Sequence, residues 1–144
     1  MSIKDSLQGV LANTYLLYLK TQNYHWNVAG GPYFKALHEL FEKHYLELAD
    51  AVDDIAERIR QIGAMVPASF ADFARDAKLK EGQPNKNPND MLVDLADDQD
   101  EILSILQEAW KVADAAQDEV SADLLIARMS AHSKAAWFYR SSIE

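Results

Sequence analysis

The chain has no cysteine and little glycine or proline, and these absences limit the kinds of metal site and fold that it can form. Its 144 residues include five glycines and four prolines. Without cysteine, disulfides and thiolate metal sites are excluded. The composition fits a reducing compartment, so we expect a cytoplasmic protein. Sparse glycine and proline leave room for long helices.

Long apolar runs and an excess of cations are also missing. The apolar run Tyr15–Leu19 is too short to span a membrane. The first residues carry an early acid and no sustained apolar core, so we expect no secretory signal. Lys and Arg number 14 against 23 Asp and Glu, which gives a net charge of −9. Because clustered cations are what neutralise phosphates, we expect no strong direct DNA binding, whereas attraction of metal cations is favoured.

What the chain does have is helical periodicity in four long segments. Apolar residues recur at helical spacing over about 3–27, 33–62, 88–113 and 119–142. The link between the second and third segments is too long for a simple turn, and residues 70–75 within it resemble a short helix. We predict an all-α four-helix bundle, forming a single domain over residues 1–144. Its long crossover between helices 2 and 3 is the ferritin-like connectivity.

One face of the second predicted helix carries side chains that bind metals. His38 and Glu42 are four residues apart, as are Asp53 and Glu57, and such pairs share a helix face. Eleven positions separate Glu42 from Asp53, which returns to within ~20° of the same face. The helix rises ~22 Å from His38 to Asp53, so one metal cannot bridge both pairs. If the pairs cooperate, a second copy of the helix must bring one chain's histidine pair to the other chain's acid pair.

The spacing leaves two interpretations open. Together with His25, the four residues His38, Glu42, Asp53 and Glu57 form a stripe of two histidines and three carboxylates. Such a mixed set suits non-haem iron, with zinc and manganese as competitors. Histidines and acids on a helix face are equally often a solvated surface. We expect Glu47, Asp50 and Asp54 to be such a surface, and His44, ~120° around the axis from His38, to be structural. No Glu-x-x-His motif occurs, so the di-iron site that ferritin-like bundles build inside one chain is not expected.

Several segments closely resemble the Dps-type mini-ferritins. They are His25–Gly30, Phe34–Glu42, Asp53–Ile59 and His132–Ser141. The resemblance covers essentially the whole chain, and its spacing and flanking residues agree together. One departure is the turn Ala29–Phe34, which is one residue longer than the resemblance leads us to expect and bears on the orientation of His25.

The resemblance implies a homo-oligomeric shell of twelve subunits, built from two-fold dimers, with an iron-oxidising site at each dimer interface. Carried over residue by residue, one subunit supplies His25, His38 and Glu42, and its partner supplies Asp53 and Glu57. The implied activity is that of a ferroxidase, an oxidoreductase that oxidises ferrous iron. Hydrogen peroxide is the implied oxidant in preference to dioxygen, and ferric mineral is stored inside the shell.

Other residues and functions remain candidates. Trp26, next to His25, is a candidate electron donor that quenches stray radicals, with aromatic packing as the alternative. A second function class is a non-enzymatic metal-binding cage with zinc as a surrogate at the interface site, or a DNA-protecting shell. A third is a helical interaction module with incidental acids. Candidate pore residues cluster around the junction of the third and fourth helices: Asp114, Asp118, Glu119 and Asp123.

Overall fold

Five helices and no strand make up the computed structural model, which describes residues 1–144. The helices are α1 (Ile3–Asn27), α2 (Phe34–Gln61), the short α3 (Phe70–Asp76), α4 (Pro88–Ala115) and α5 (Glu119–Ser142). The predicted fold is confirmed, including the crossover between the second and third long helices that carries the short extra helix. None of the helices is both long and apolar enough to cross a membrane.

Local sequence signals set most of the helix starts. Four side chains accept a hydrogen bond from the backbone N–H three residues further on and so cap a helix: Ser2, Ser69, Asn87 and Asp118. Pro88 occupies the first turn of α4, where its missing N–H costs nothing. The start of α2 has no side-chain cap. A glycine turn sets it instead.

The core lies between two antiparallel helix pairs. α1 packs along α2, α4 packs along α5, and α1 also contacts α4 across the bundle. The crossover carries α3 against α1. Each long helix contributes fully buried apolar side chains to a single cluster, among them Leu11, Phe41, Ile55, Leu95 and Leu125. This packing fixes α1 and α2 side by side, and therefore brings the end of α1 to the beginning of α2.

A buried ionic network joins α1, α4 and the crossover. Lys20 Nζ lies 2.7 Å from Asp98 Oδ2 and 3.1 Å from Asp94 Oδ1, and the lysine is only 2% exposed. The Tyr24 hydroxyl donates to Asp94 and accepts from the backbone N–H of Gln83 at 3.4 Å. Burial raises the pKa of Asp98 to about 6, although Lys20 pulls it down.

Candidate metal centre

Two stacked histidines stand where α1 ends and α2 begins. The rings of His25 and His38 lie 3.8 Å apart between centroids, at an angle of 18°. His25 Nδ1 is 2.8 Å from the carbonyl oxygen of His38, and His38 Nδ1 is 2.8 Å from the carbonyl oxygen of His25. Because a carbonyl oxygen only accepts, each Nδ1 carries the proton and donates it. In the neutral imidazole this hydrogen bond leaves the lone pair on Nε2, which is the atom that then can bind a metal.

The turn between the two histidines holds them in this position. Gly30 and Gly31 adopt φ values of +80° and +81°, in the left-handed region that glycine reaches without strain. A Cβ at either position would meet no atom within 4 Å, so backbone conformation and not space requires glycine. The two glycines close the turn, and the reciprocal hydrogen bonds fix the ring of His25.

Two aromatic rings enclose the histidine pair. Phe34 stacks on His38 with centroids 5.5 Å apart, and Tyr45 meets the ring of His25 edge-on at 5.2 Å. His25 is 7% exposed. Neither aromatic residue was predicted to be part of the site. Phe34 lies one helical turn before His38, and Tyr45 lies two turns after it, so their helical spacing was the available signal.

The three carboxylates of the stripe are exposed and unengaged. Glu42 follows His38 by one turn of α2, whereas Asp53 and Glu57 lie near the other end of the same helix. None of the three forms an ion pair within the chain. No group of three or more His, Cys, Asp or Glu side chains within one chain is placed to hold a metal ion. The structure thus brings together His25 and His38 and leaves the two acids of the second pair apart from them.

Trp26 extends away from the bundle. Its side chain is 62% exposed, next to the buried His25. It makes no ring contact with another aromatic residue of the chain. Its role as an electron donor stays a prediction.

Glu47, Asp50 and Asp54 are all exposed, as predicted, but Glu47 also has a partner within the chain. Glu47 forms a bidentate ion pair with Arg128 of α5, with Arg128 Nη2 2.9 Å from Glu47 Oε1. Arg128 is 6% exposed, and a buried guanidinium needs a carboxylate partner. His44 lies off the stripe, as predicted, and its Nδ1 is 2.5 Å from the Tyr139 hydroxyl.

Two further histidines, His44 of α2 and His132 of α5, lie where these two helices meet. His132 Nδ1 is 2.7 Å from Gln99 Oε1, and Arg128 Nη2 donates to His132 Nε2 at 3.2 Å. Burial, and then the charge of Arg128, lowers the pKa of His132 to about 3. Burial, and then the charge of Lys43, lowers the pKa of His44 to about 4, while Glu47 acts in the opposite direction. Both imidazoles are therefore neutral at physiological pH.

These neutral histidines make the fold sensitive to acid. Unfolded histidine titrates near 6.5, so between pH 7 and pH 5 the unfolded chain binds protons that the folded chain does not bind. The free energy of unfolding therefore decreases as the pH is lowered. Asp98 acts in the opposite direction, because its folded pKa of about 6 lets the native state bind a proton first. We expect a net loss of about 2 kcal/mol in the free energy of unfolding from pH 7 to pH 5. Urea denaturation at each pH measures it.

The matched variant is His132→Gln, whose side chain cannot titrate and can still bond Gln99. Its free energy of unfolding should lose much less between pH 7 and pH 5 than that of the parent chain. An unchanged pH dependence in this variant would contradict the assignment of the acid sensitivity to His132.

Acids surround the junction of α4 and α5. Asp118 is already engaged there: its carboxylate caps α5 and lies 2.8 Å from Arg58 Nη2. Hydrogen bonds from Ser121 and the charge of Arg58 lower its pKa in spite of desolvation. The other three candidate pore acids are exposed: Asp114, Glu119 and Asp123. If the junction lines a pore, these three are the acids that remain free to meet a cation.

Comparison with known proteins gives one consistent result. The ferritin-like domain model matches residues 4–144. The DNA protection during starvation protein of Brevibacillus brevis is 36% identical over 138 residues, which cover 96% of this chain and 92% of that protein. A Dps crystal structure from Bacillus brevis superposes with a TM-score of 0.94 at 34% identity, covering 99% of this chain and 95% of the other.

A more distant structure shows the breadth of this similarity. The Dps protein of Vibrio cholerae O1, described as a member of a broad superfamily of ferritin-like diiron-carboxylate proteins, superposes with a TM-score of 0.91 at 27% identity. That match covers 96% of this chain and 87% of the other.

Proposed function

This chain belongs to the Dps family of ferritin-like proteins, and we propose that it binds ferrous iron, oxidises it and stores the ferric product inside a protein shell. The observation that carries the proposal is the histidine pair. Two imidazoles are fixed by their own backbone hydrogen bonds so that both Nε2 atoms are free to bind a metal. In this role the protein protects the cell from oxidative damage by removing ferrous iron and peroxide together.

The proposed site is shared between two subunits. One subunit supplies His25, His38 and Glu42, and its partner supplies Asp53 and Glu57. The support is geometric: the acids of the stripe are exposed and free of ion pairs, yet no single chain gathers a complete ligand set. A two-fold axis near the midpoint between Glu42 and Asp53 would pair two α2 helices antiparallel and create two equivalent sites. Twelve such subunits would form the shell.

The donor set fits iron as a substrate. Imidazole nitrogen is a good ligand for ferrous iron, and carboxylate oxygens favour the ferric product. The buried His25 and the rings of Phe34 and Tyr45 limit water on one side of the site. Hydrogen peroxide is the proposed oxidant, because two electrons from ferrous ions reduce it to water without releasing hydroxyl radical. Trp26 is proposed as a nearby donor for stray radicals.

The partners follow from charge. A chain of net charge −9 repels phosphate backbones at long range and attracts cations, so we propose ferrous ions as a partner and no strong direct binding of DNA. Peroxide is the other proposed partner, because it is the oxidant. Zinc would bind the same nitrogen and oxygen donors without redox chemistry, which makes it a surrogate and an inhibitor.

Stopped-flow absorbance tests the ferroxidase proposal. Mixing the protein with ferrous iron under anaerobic conditions and then with peroxide should give a rapid ferric signal, faster than the signal with dioxygen. His38→Ala should lower the rate of ferric formation at least about tenfold, because it deletes one of the few ligands. The control is Asp54→Ala, an exposed acid ~100° around the helix from Asp53.

Two outcomes would contradict this proposal. One is the absence of any protein-dependent ferric signal. The other is a signal that His38→Ala and Asp54→Ala affect equally. Tight zinc binding without iron oxidation would instead favour the non-enzymatic cage.

A further inference from the structure

A chain of aromatic rings leads away from the candidate metal centre. Tyr45 meets the ring of His25 at 5.2 Å, and Tyr18 meets Tyr45 edge-on at 6.0 Å. Tyr15 follows at 5.7 Å from Tyr18, and Phe73 of α3 stacks on Tyr15 at 4.8 Å. Each centroid distance lies in the range of aromatic rings in direct contact. The rings therefore form one continuous path from a proposed iron ligand, through the α1–α2 interface, to the crossover.

The three tyrosines of this path differ from the other three in the chain. They are partly buried, and their hydroxyls are not tied into the core. Tyr18 accepts a hydrogen bond from Gln22 Nε2 at 3.1 Å, which leaves its own O–H proton free to move. By contrast, Tyr24 and Tyr139 are fully buried, and burial raises the pKa of both phenols.

The far end of the path opens on a surface cleft. Tyr15 and Phe73 line a cleft of about 410 Å³ between α1, α3 and the crossover, together with the 79% exposed Phe70. An oxidising equivalent that reaches Tyr15 is thus separated from the histidine ligands by two further rings. The path can remove such an equivalent from the residues on which the proposed site depends.

We propose that Tyr45, Tyr18 and Tyr15 form a one-electron relay for the peroxide reaction, a role that rests on the proposed function. Peroxide needs two electrons, and one ferrous ion gives one. Tyr45 supplies the second electron and its phenolic proton: Fe²⁺ + TyrOH + H₂O₂ + H⁺ gives Fe³⁺ + TyrO• + 2 H₂O. The O–O bond is cleaved, both oxygen atoms leave as water, and no hydroxyl radical is released.

The radical then moves along the path, and a second ferrous ion finally reduces it. The Tyr45 phenoxyl takes an electron and a proton from Tyr18, and Tyr18 takes them from Tyr15. A second ferrous ion restores the relay: Fe²⁺ + TyrO• + H⁺ gives Fe³⁺ + TyrOH. The two reactions sum to the oxidation of two ferrous ions by one peroxide. A site that holds one ferrous ion at a time can therefore complete the two-electron chemistry.

Freeze-quench electron paramagnetic resonance tests the relay. The assembled protein receives one ferrous ion per site and then peroxide, and samples are frozen during the ferric rise. We expect an organic radical whose hyperfine pattern narrows when the protein carries ring-deuterated tyrosine, which separates it from a radical on Trp26. Tyr45→Phe keeps the ring and removes the hydroxyl, so the tyrosine signal should be lost and oxidation products should appear on Trp26 in peptide mass spectra.

The matched control is Tyr33→Phe, which changes an exposed tyrosine with no ring contact to the path. It should retain the full radical signal. Ferric formation without a tyrosine radical in the parent chain would overturn the relay alone, as would an equal tyrosine signal in Tyr45→Phe. The absence of ferric formation would overturn the proposed function and the relay with it, so the absorbance record separates the two failures.

Discussion

Two variants that are each inactive are expected to regain iron oxidation when their subunits are mixed in one assembly. His38→Ala with Glu42→Ala removes the histidine half of the proposed site. Asp53→Ala with Glu57→Ala removes the acid half. Either double variant alone lacks half of every site. In a mixed two-fold dimer, one site receives both damaged halves and the other receives both intact halves.

The expected recovery has a definite size. Random mixing of equal amounts makes half of the dimers mixed, so about one quarter of all sites, and about one quarter of the parent rate, should return. The two variants are dissociated, mixed and reassembled, and the initial rate of ferric absorbance is measured. Each variant alone and the parent protein pass through the same procedure. A parent that recovers while the mixture stays inactive would show that each chain builds its own site.

The histidine and acid pairs could be predicted from the sequence because helix geometry is local. Spacing placed His38, Glu42, Asp53 and Glu57 on one face of α2 and set ~22 Å between the pairs. The helix ends were equally local, since caps and the Gly30-Gly31 turn lie within a few residues of the ends they set. These features need no knowledge of how the helices pack.

Contacts between distant segments could not be predicted in this way. Arg128 and Glu47 are 81 residues apart, and their pairing depends on how α5 is rotated against α2. The same holds for Tyr45 and Tyr18, which meet only because α1 and α2 pack side by side. Helical spacing predicted that Glu47 is exposed, but it could not show that this carboxylate also pairs with Arg128.

Lys20 could be predicted in part, because its position in the helical pattern of α1 already indicates that it is buried. It lies in the apolar phase of α1, three residues after Leu17 and four before Tyr24, both of which are fully buried. A lysine at such a position requires an anion inside the core. Asp94 and Asp98 supply it from one face of α4, where they are four residues apart.

Replacement of Lys20 by Met is therefore expected to destabilise the fold strongly. The side chain keeps nearly the same length, but Asp98 loses its ammonium partner inside the core. Removing one member of a buried ion pair costs about 3–5 kcal/mol. The matched control is Lys111→Met, whose partner Glu108 lies 2.8 Å away on the surface, with side chains 58% and 72% exposed. That variant should change the free energy of unfolding by less than about 1 kcal/mol.

Urea denaturation at matched subunit concentration separates the cause from a simple packing effect. Without Lys20, the pKa of Asp98 should rise above its value of about 6, so the folded state gains stability as Asp98 binds a proton. The penalty of Lys20→Met should therefore be smaller at pH 5 than at pH 7. Adding Asp98→Leu should restore much of the loss, because the buried charge is then gone. Equal penalties at both pH values, with no recovery in the double variant, would mean that Lys20 acts through its aliphatic chain and not through its charge.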